Sequence, residues 1–181
     1  MNKIIIIIIS FFFTCSLNAS ERDYQLNKLF DELKTNNYEI SKKTEQKIWD
    51  IWSNHPTDNK LTQILDEGSK HVRNQELVQA FDIFTKVIEL DPTWAEAWNK
   101  RATVLYLLGD YNGSQKDIDK VLKLEKRHFG ALAGEGLVNI KLKNYEKAIK
   151  SYQKAQKIYP SMKSPNIMIK KIKELIKQQS I

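Results

Sequence analysis

Cut at residues 61, 95 and 129, the chain falls into three segments of 34 residues that align without a gap. Gly68, Ala80, Phe84 and Pro92 occupy positions 8, 20, 24 and 32 of the first segment. In the third, Gly136, Ala148, Tyr152, Ala155 and Pro160 occupy positions 8, 20, 24, 27 and 32. The middle segment sets Trp98 at position 4, Ala102 at 8, Leu105 at 11, Ile118 at 24 and Val121 at 27. A fixed period of this length marks units that are each too small to bury an apolar face alone, so the units fold by stacking on one another.

The spacing within a unit is helical. Trp94, Ala97, Trp98, Arg101, Leu105 and Leu108 recur at intervals of three and four, one face of a helix. Gly109-Asp110 ends it, because glycine accepts the left-handed conformation of a helix end and Asp caps the next helix. Tyr111, Ser114, Ile118, Val121 and Leu122 form the stripe of that second helix. Small residues at positions 8 and 20 let the two helices approach, and large ones at 4, 11 and 24 fill the space beside them. The expectation is an all-α solenoid of three helix-turn-helix repeats, 61–94, 95–128 and 129–162. Beyond them, Ser164-Pro165 opens a basic helix with an Ile169, Ile172, Leu175, Ile176 stripe, expected to close the array over residues 163–181. Before them, residues 20–60 hold two amphipathic stretches, Tyr24 to Leu33 and Glu39 to Trp52, which do not match the repeat and are expected to form an N-terminal helical cap.

Residues 1–19 have a different character. Lys3 precedes a run from Ile4 to Phe13 broken only by Ser10, and a polar stretch then ends at Ala19. This is the layout of a signal peptide, with cleavage expected after Ala19. The apolar run is about half of the ~20 residues that cross a bilayer. Export, to the periplasm in a bacterial cell, is the expected localisation. Lys3 and Cys15, the one cysteine of the chain, leave with the leader, and the net charge falls from +7 to +6. Residues 20–128 then carry 17 basic and 19 acidic side chains, against 11 and three in residues 129–181. The basic character therefore belongs to the last repeat and the final helix.

The three in-register copies resemble the tetratricopeptide repeat, whose pattern of Trp, Leu-Gly, Tyr, Ala, Phe and Pro has the same period. The stretches Trp98-Asn99-Lys100-Arg101-Ala102-Thr103 and Arg127-His128-Phe129-Gly130-Ala131-Leu132-Ala133-Gly134 also resemble small exported bacterial proteins of this family, a subgroup without an assigned activity. The resemblance implies a protein-binding scaffold with a concave groove lined by positions 2, 5, 9, 12 and 13 of each first helix. Carried over, these are Thr62, Leu65, Ser69, Val72 and Arg73; Glu96, Asn99, Thr103, Tyr106 and Leu107; and Gly130, Ala133, Leu137, Ile140 and Lys141. A protein or peptide partner laid on an apolar floor is the expected ligand, with Asn99 and Thr103 facing its backbone. The family's clamp for a C-terminal carboxylate needs Lys and Asn at positions 5 and 9 of the first repeat, where Leu65 and Ser69 stand.

Signals for catalysis are missing. His55, His71 and His128 stand at no metal-ligand spacing, and the glycines at 130, 134 and 136 lack the Lys-Ser/Thr of a phosphate loop and are better explained by close helix packing. No cofactor, metal, small-molecule substrate or nucleic acid is expected, and no enzyme activity. Position 7 holds Glu67, Arg101 and Glu135, alternating in sign, which suggests a charge ladder between neighbouring first helices. Finally, Lys163, Lys170, Lys171, Lys173 and Lys177 beside an apolar stripe offer an anionic membrane surface as a second kind of partner.

Overall fold

The computed structural model describes residues 21–35 and 37–179, with the side chain of Gln179 excepted; the expected leader, Cys15 and the cleavage site after Ala19 lie outside the described residues. The described chain is helical. After α1 (residues 21–33) come α2 (Tyr38–Ser53), α3 (Asn59–Arg73), α4 (Leu77–Leu90), α5 (Ala95–Leu107), α6 (Tyr111–Leu124), α7 (Phe129–Lys141), α8 (Tyr145–Ile158) and α9 (Lys163–Gln179). Helices α3/α4, α5/α6 and α7/α8 are the three hairpins of the 34-residue period, and each packs on the next in chain order.

Every hairpin turns in the same way. Gln75, Gly109 and Lys143 all stand at position 15 and all have positive φ, 64°, 84° and 60°. At each turn the next backbone N–H reaches back to close the helix end: Glu76 to His71, Asp110 to Leu105 and Asn144 to Asn139. The glycine signal therefore marks one turn of three, and the stacking geometry holds Gln75 and Lys143 in the same left-handed region without it.

Within a hairpin the helices meet at positions 8 and 24. Gly68 faces the ring of Phe84 and Gly136 that of Tyr152: a Cβ added at either glycine would lie 2.6 Å from Phe84 Cε1 or 2.5 Å from Tyr152 Cε2. In the middle hairpin the large partner is Ile118, and Ala102 is tolerated opposite it. Size on one helix thus answers size on the other. At position 20, Ser114 replaces alanine and its hydroxyl donates to the Ala102 carbonyl at 2.8 Å, so the polar atom is satisfied inside the contact. The expected first-helix stripe needs one change, since Val104 is fully buried and Leu108 is exposed.

The ends of the array differ in how far they match expectation. Helix α9 packs along α8, burying Ile172 against Ala148 and Tyr152. Helices α1 and α2 do not close the first unit as an N-terminal cap. They lie along the edge formed by the two junctions between units and the one between the last unit and α9, where Leu26, Phe30, Leu33, Ile48 and Trp52 form one core with Phe129 and Tyr159. Trp94 Nε1 donates to the Trp52 carbonyl at 2.9 Å, Arg127 Nη1 donates to Asn27 Oδ1 at 2.6 Å, and the Tyr159 hydroxyl donates to Glu45 Oε2 at 3.0 Å. One of these contacts falls at each junction, and Arg127 also covers the Phe30 ring at 4.2 Å. A hairpin rich in aromatic residues finds its burial there because the junctions offer aromatic anchors in Trp94, Phe129 and Tyr159.

The size rule gives a test. Gly136→Ala is expected to destabilise the protein by about 1–3 kcal/mol through overpacking against Tyr152, and Tyr152→Ile in the same chain, which rebuilds the middle hairpin's pairing, is expected to recover part of that loss in urea denaturation.

Candidate functional site

Asn99, Thr103 and Tyr106 succeed one another at intervals of four and three on α5, so they share a face. That face looks across to Gly130, Gly134 and Leu137 on α7, and between them runs a cleft with about 80 Å³ of open volume. Ala102, Ser114, Ile118, Ala131 and Val138 line its remaining walls. Its depth comes from small side chains: a Cβ at Gly134 would meet only Ile118 Cδ1, at an ordinary 3.7 Å. Polar groups sit at the rim and are held by their own helix. Thr103 Oγ1 donates to the Asn99 carbonyl at 3.0 Å, and Asn99 Nδ2 donates to Glu96 Oε2 at 3.0 Å. Tyr106 leans on Tyr111, ring centroids 5.5 Å apart.

Of the residues expected in the groove, the structure therefore brings Asn99, Thr103, Tyr106 and Leu137 together, with Gly130. Two others are corrected. Leu65 is a core residue, packed with Phe84, Val87 and Val104. Glu96 is 1% exposed, beneath α2. Ser69 donates its hydroxyl back to the Leu65 carbonyl, Ala133 packs toward the α8/α9 core, and Arg73, Leu107 and Lys141 stand exposed near the ends of their helices, away from the cleft lining. Ala102 and Ala131 belong to the cleft although the position rule omits them.

Glu96 is buried because of a cluster that spans the α2 contact. His128, at the start of α7, is fully buried and stacks on Trp52 at 4.0 Å between ring centroids. Its Nδ1 accepts the Ala131 N–H at 3.1 Å and so caps α7, which assigns the ring proton to Nε2, 3.1 Å from Glu96 Oε2. Lys100 Nζ stands 3.2 Å from the other carboxylate oxygen. Burial alone would raise the Glu96 carboxyl; hydrogen bonding by His128 and the Lys100 ammonium outweigh it and hold the group below its ordinary value. Next to this cluster Trp49 of α2 stands over Gly130, where a Cβ would lie 2.6 Å from Trp49 Cη2. Helix α2 thus covers the first turns of α5 and α7 and leaves the middle turns open.

The expected Glu67–Arg101–Glu135 ladder does not form. The Arg101 guanidinium is bidentate to Asp117, at 2.8 and 2.9 Å, and donates to Thr85 Oγ1 at 3.2 Å. Glu135 Oε2 accepts from the Ser151 hydroxyl at 2.7 Å, and Glu67 is exposed. Both partners, Asp117 and Ser151, lie 16 residues on, at position 23 of the same hairpin. Position 7 therefore answers to its own second helix and, through Thr85 for Arg101 and Gln115 for Glu135, to that of the preceding unit, and not to a neighbouring first helix. Among the described residues no group of three or more His, Cys, Asp or Glu side chains could hold a metal ion.

Stacked helical hairpins with an open cleft across their first helices define a repeat scaffold of the interaction type. Models described as Tetratricopeptide repeat match residues 95–128 and 129–162. A TPR repeat-containing protein of Rhizobium etli is 34% identical over 148 residues, 80% of this chain and 71% of that protein. The human small glutamine-rich tetratricopeptide repeat-containing protein beta is 37% identical over 60 residues, 33% of this chain and 20% of that protein. Among solved structures, the first TPR domain of human RPAP3 superposes with a TM-score of 0.64 at 19% identity, covering 66% of this chain and 94% of that domain. The first TPR of Spaghetti (RPAP3) bound to an HSP90 peptide gives 0.63 at 20% identity, covering 65% and 93%. The chain belongs to the tetratricopeptide repeat family, whose modules are non-catalytic protein-interaction scaffolds.

The charges give two testable outcomes. In a double-mutant cycle, Arg101→Ala and Asp117→Ala are expected to couple by about 1–3 kcal/mol, with no measurable coupling of Arg101 to Glu67. For Glu96, the lowered carboxyl means the unfolded chain binds the more protons in acid. Its contribution to stability is complete above the ordinary value of 4.5 and is lost as pH falls through the lowered value. Glu96→Gln is expected to flatten that part of the acid limb in denaturation midpoints measured against pH.

Proposed function

We propose that this protein is an exported adaptor of the bacterial cell envelope that holds a peptide segment of a partner protein in the α5–α7 cleft. The observation that carries the reading is the cleft itself, a small-residue, apolar floor between Ala102, Gly134 and Leu137 with Asn99, Thr103 and Tyr106 along one rim. A segment laid there would bury small or unbranched apolar side chains and meet polar groups at one edge only. The solved TPR of Spaghetti holds an HSP90 peptide, which supports the use of this fold for a peptide. An acidic tail of that kind is not the ligand favoured here, because Leu65 and Ser69 replace the clamp and Leu65 is committed to the core. Export is supported by the apolar run from Ile4 to Phe13 behind Lys3.

A photoreactive residue placed at Asn99 in living cells tests both parts. It is expected to capture a partner, with the capture lost on Tyr106→Ala, and the protein recovered from the envelope is expected to have the mass of a chain starting at Ser20. Equal capture of the same partner from Lys42, exposed on α2, overturns the cleft assignment; a chain that keeps residues 1–19 or begins at an acylated Cys15 overturns the cleavage.

A further inference from the structure

The outer side of the array carries a charge pattern that the cleft does not use. Positions 22, 26 and 29 of each unit lie on its second helix at i, i+4 and i+7, a single row along the helix. In the first unit the row is Asp82, Lys86 and Glu89, mixed in sign. The second unit has Lys116, Lys120 and Lys123, and the third Lys150, Lys154 and Lys157. All six of these lysines are exposed, on the side of α6 and α8 turned away from buried Ser114, Ile118, Ser151 and Ala155. None takes part in the ion pairs formed among the described residues.

Each row is ~10 Å long, and the two helices occupy equivalent places in adjacent units, about one helix diameter or ~10–12 Å apart. Lys147 continues the α8 row at the same spacing. Helix α9 extends the field sideways: Asn166, in line with Lys170, Lys173 and Lys177, accepts from Gln156 of α8 at 2.6 Å, so that line runs beside α8. Three exposed carboxylates lie within this surface, Asp119, Glu146 and Glu174; Asp119 accepts from Gln115, and none of the three forms an ion pair with a lysine among the described residues. Like charges four residues apart repel along a helix, and two such rows side by side repel across it as well. A negative surface relieves both repulsions at once.

We infer that the lysine field of α6 and α8 docks the protein on an anionic lipid surface. The rows hold lysine and no arginine, which suits a fluid layer of headgroups better than the fixed, bidentate partners of a protein interface. Bases have nothing to stack on: the exposed aromatic rings among the described residues are Tyr24 and Tyr38, both in the N-terminal hairpin. The choice of a membrane as the polyanion rests on the export proposed above; the charge pattern stands without it. With its outer side on lipid, the protein would present the α5–α7 cleft away from the membrane.

The protein as recovered from cells is mixed with phosphatidylcholine vesicles containing about one third phosphatidylglycerol and sedimented. Binding is expected at low salt and is expected to be lost at ~0.5 M salt, where screening shortens to a few Å. Lys116→Gln, Lys120→Gln and Lys123→Gln together are expected to weaken binding at least about tenfold, with helicity by circular dichroism unchanged, and the corresponding Lys→Arg variant is expected to keep it. The same number of changes on α2, at Lys42, Lys43 and Lys47, is expected to matter less than about twofold. Absence of salt-sensitive binding, an equal loss from the α2 changes, or tighter binding to a short DNA duplex than to the vesicles overturns the inference. A retained leader would instead bind neutral vesicles and ignore the lysine changes, which separates failure of the cleavage from failure of the lysine field.

Discussion

Everything in this architecture depends on the fit of a small residue on one helix against a large one on its partner. Phe84 and Tyr152 are fully buried, and burying such a ring is worth about 1.5–3 kcal/mol only if the neighbouring backbone comes close enough to cover it. Gly68 and Gly136 permit that approach, at the cost of about 1 kcal/mol each that glycine imposes within a helix. The balance favours the hairpin, but narrowly. Hence the remaining stability has to come from stacking between hairpins, and the first helices end up side by side with their middle turns facing a common cleft.

The N-terminal hairpin then fixes how much of that cleft stays open. Trp52 lies flat on His128, Trp49 meets it edge-on, and the two tryptophans close over the first turns of α5 and α7. Glu96 is carried inside by this closure, and it remains tolerable there because His128 and Lys100 both address its carboxylate. His128 joins three tasks: it caps α7, orients Glu96 and provides the plate on which Trp52 rests. A second histidine works in the same way one junction earlier. His55 Nε2 stands 2.7 Å from Asp91 Oδ2, and Nδ1 accepts the backbone N–H of Asp58, so the α2–α3 turn is tied to the end of α4. His55 thus fixes the end of the N-terminal hairpin and His128 the face of the array that it covers, and both shape the site.

The repeat was legible because it is a linear signal: Gly68, Gly136 and Ala102 recur at one position, and their partners Phe84, Tyr152 and Ile118 recur 16 residues on. Half of the cleft was legible for the same reason, since Asn99, Thr103 and Tyr106 share a helical face. What the sequence hid was everything decided across the period. The aromatic residues of α2 read as an amphipathic stripe, but nothing in their spacing says that the stripe meets residues such as Phe129 and Tyr159, far along the chain. Glu96 therefore looked accessible. Leu65 was misplaced because a position rule borrowed from the family assigns a face without asking which residue fills it, and a leucine facing Phe84 is drawn inward. Arg101 failed by competition: equal spacing suggested glutamates on the neighbouring units, while Asp117 at position 23 offered a nearer, bidentate partner.

The same competition explains why the units differ where they do. At positions 7 and 23 the pairs are Glu67 with Ile83, Arg101 with Asp117, and Glu135 with Ser151. The second and third pairs are chemically matched and part-buried or buried, and Glu67, facing no polar partner at position 23, stays exposed. Inside the hairpin, then, a change at one site is answered at the other, because an unanswered buried charge costs more than the hairpin can spare. On the outer rows no such coupling acts. Asp82, Lys86 and Glu89 of the first unit become three lysines in the second and three again in the third, and the exposed carboxylates of those helices, Asp119 and Glu146, form no ion pair with them. Packing does not require that bias and local electrostatics oppose it. The lipid docking inferred above supplies a cause for it, an anionic surface against which both rows become favourable.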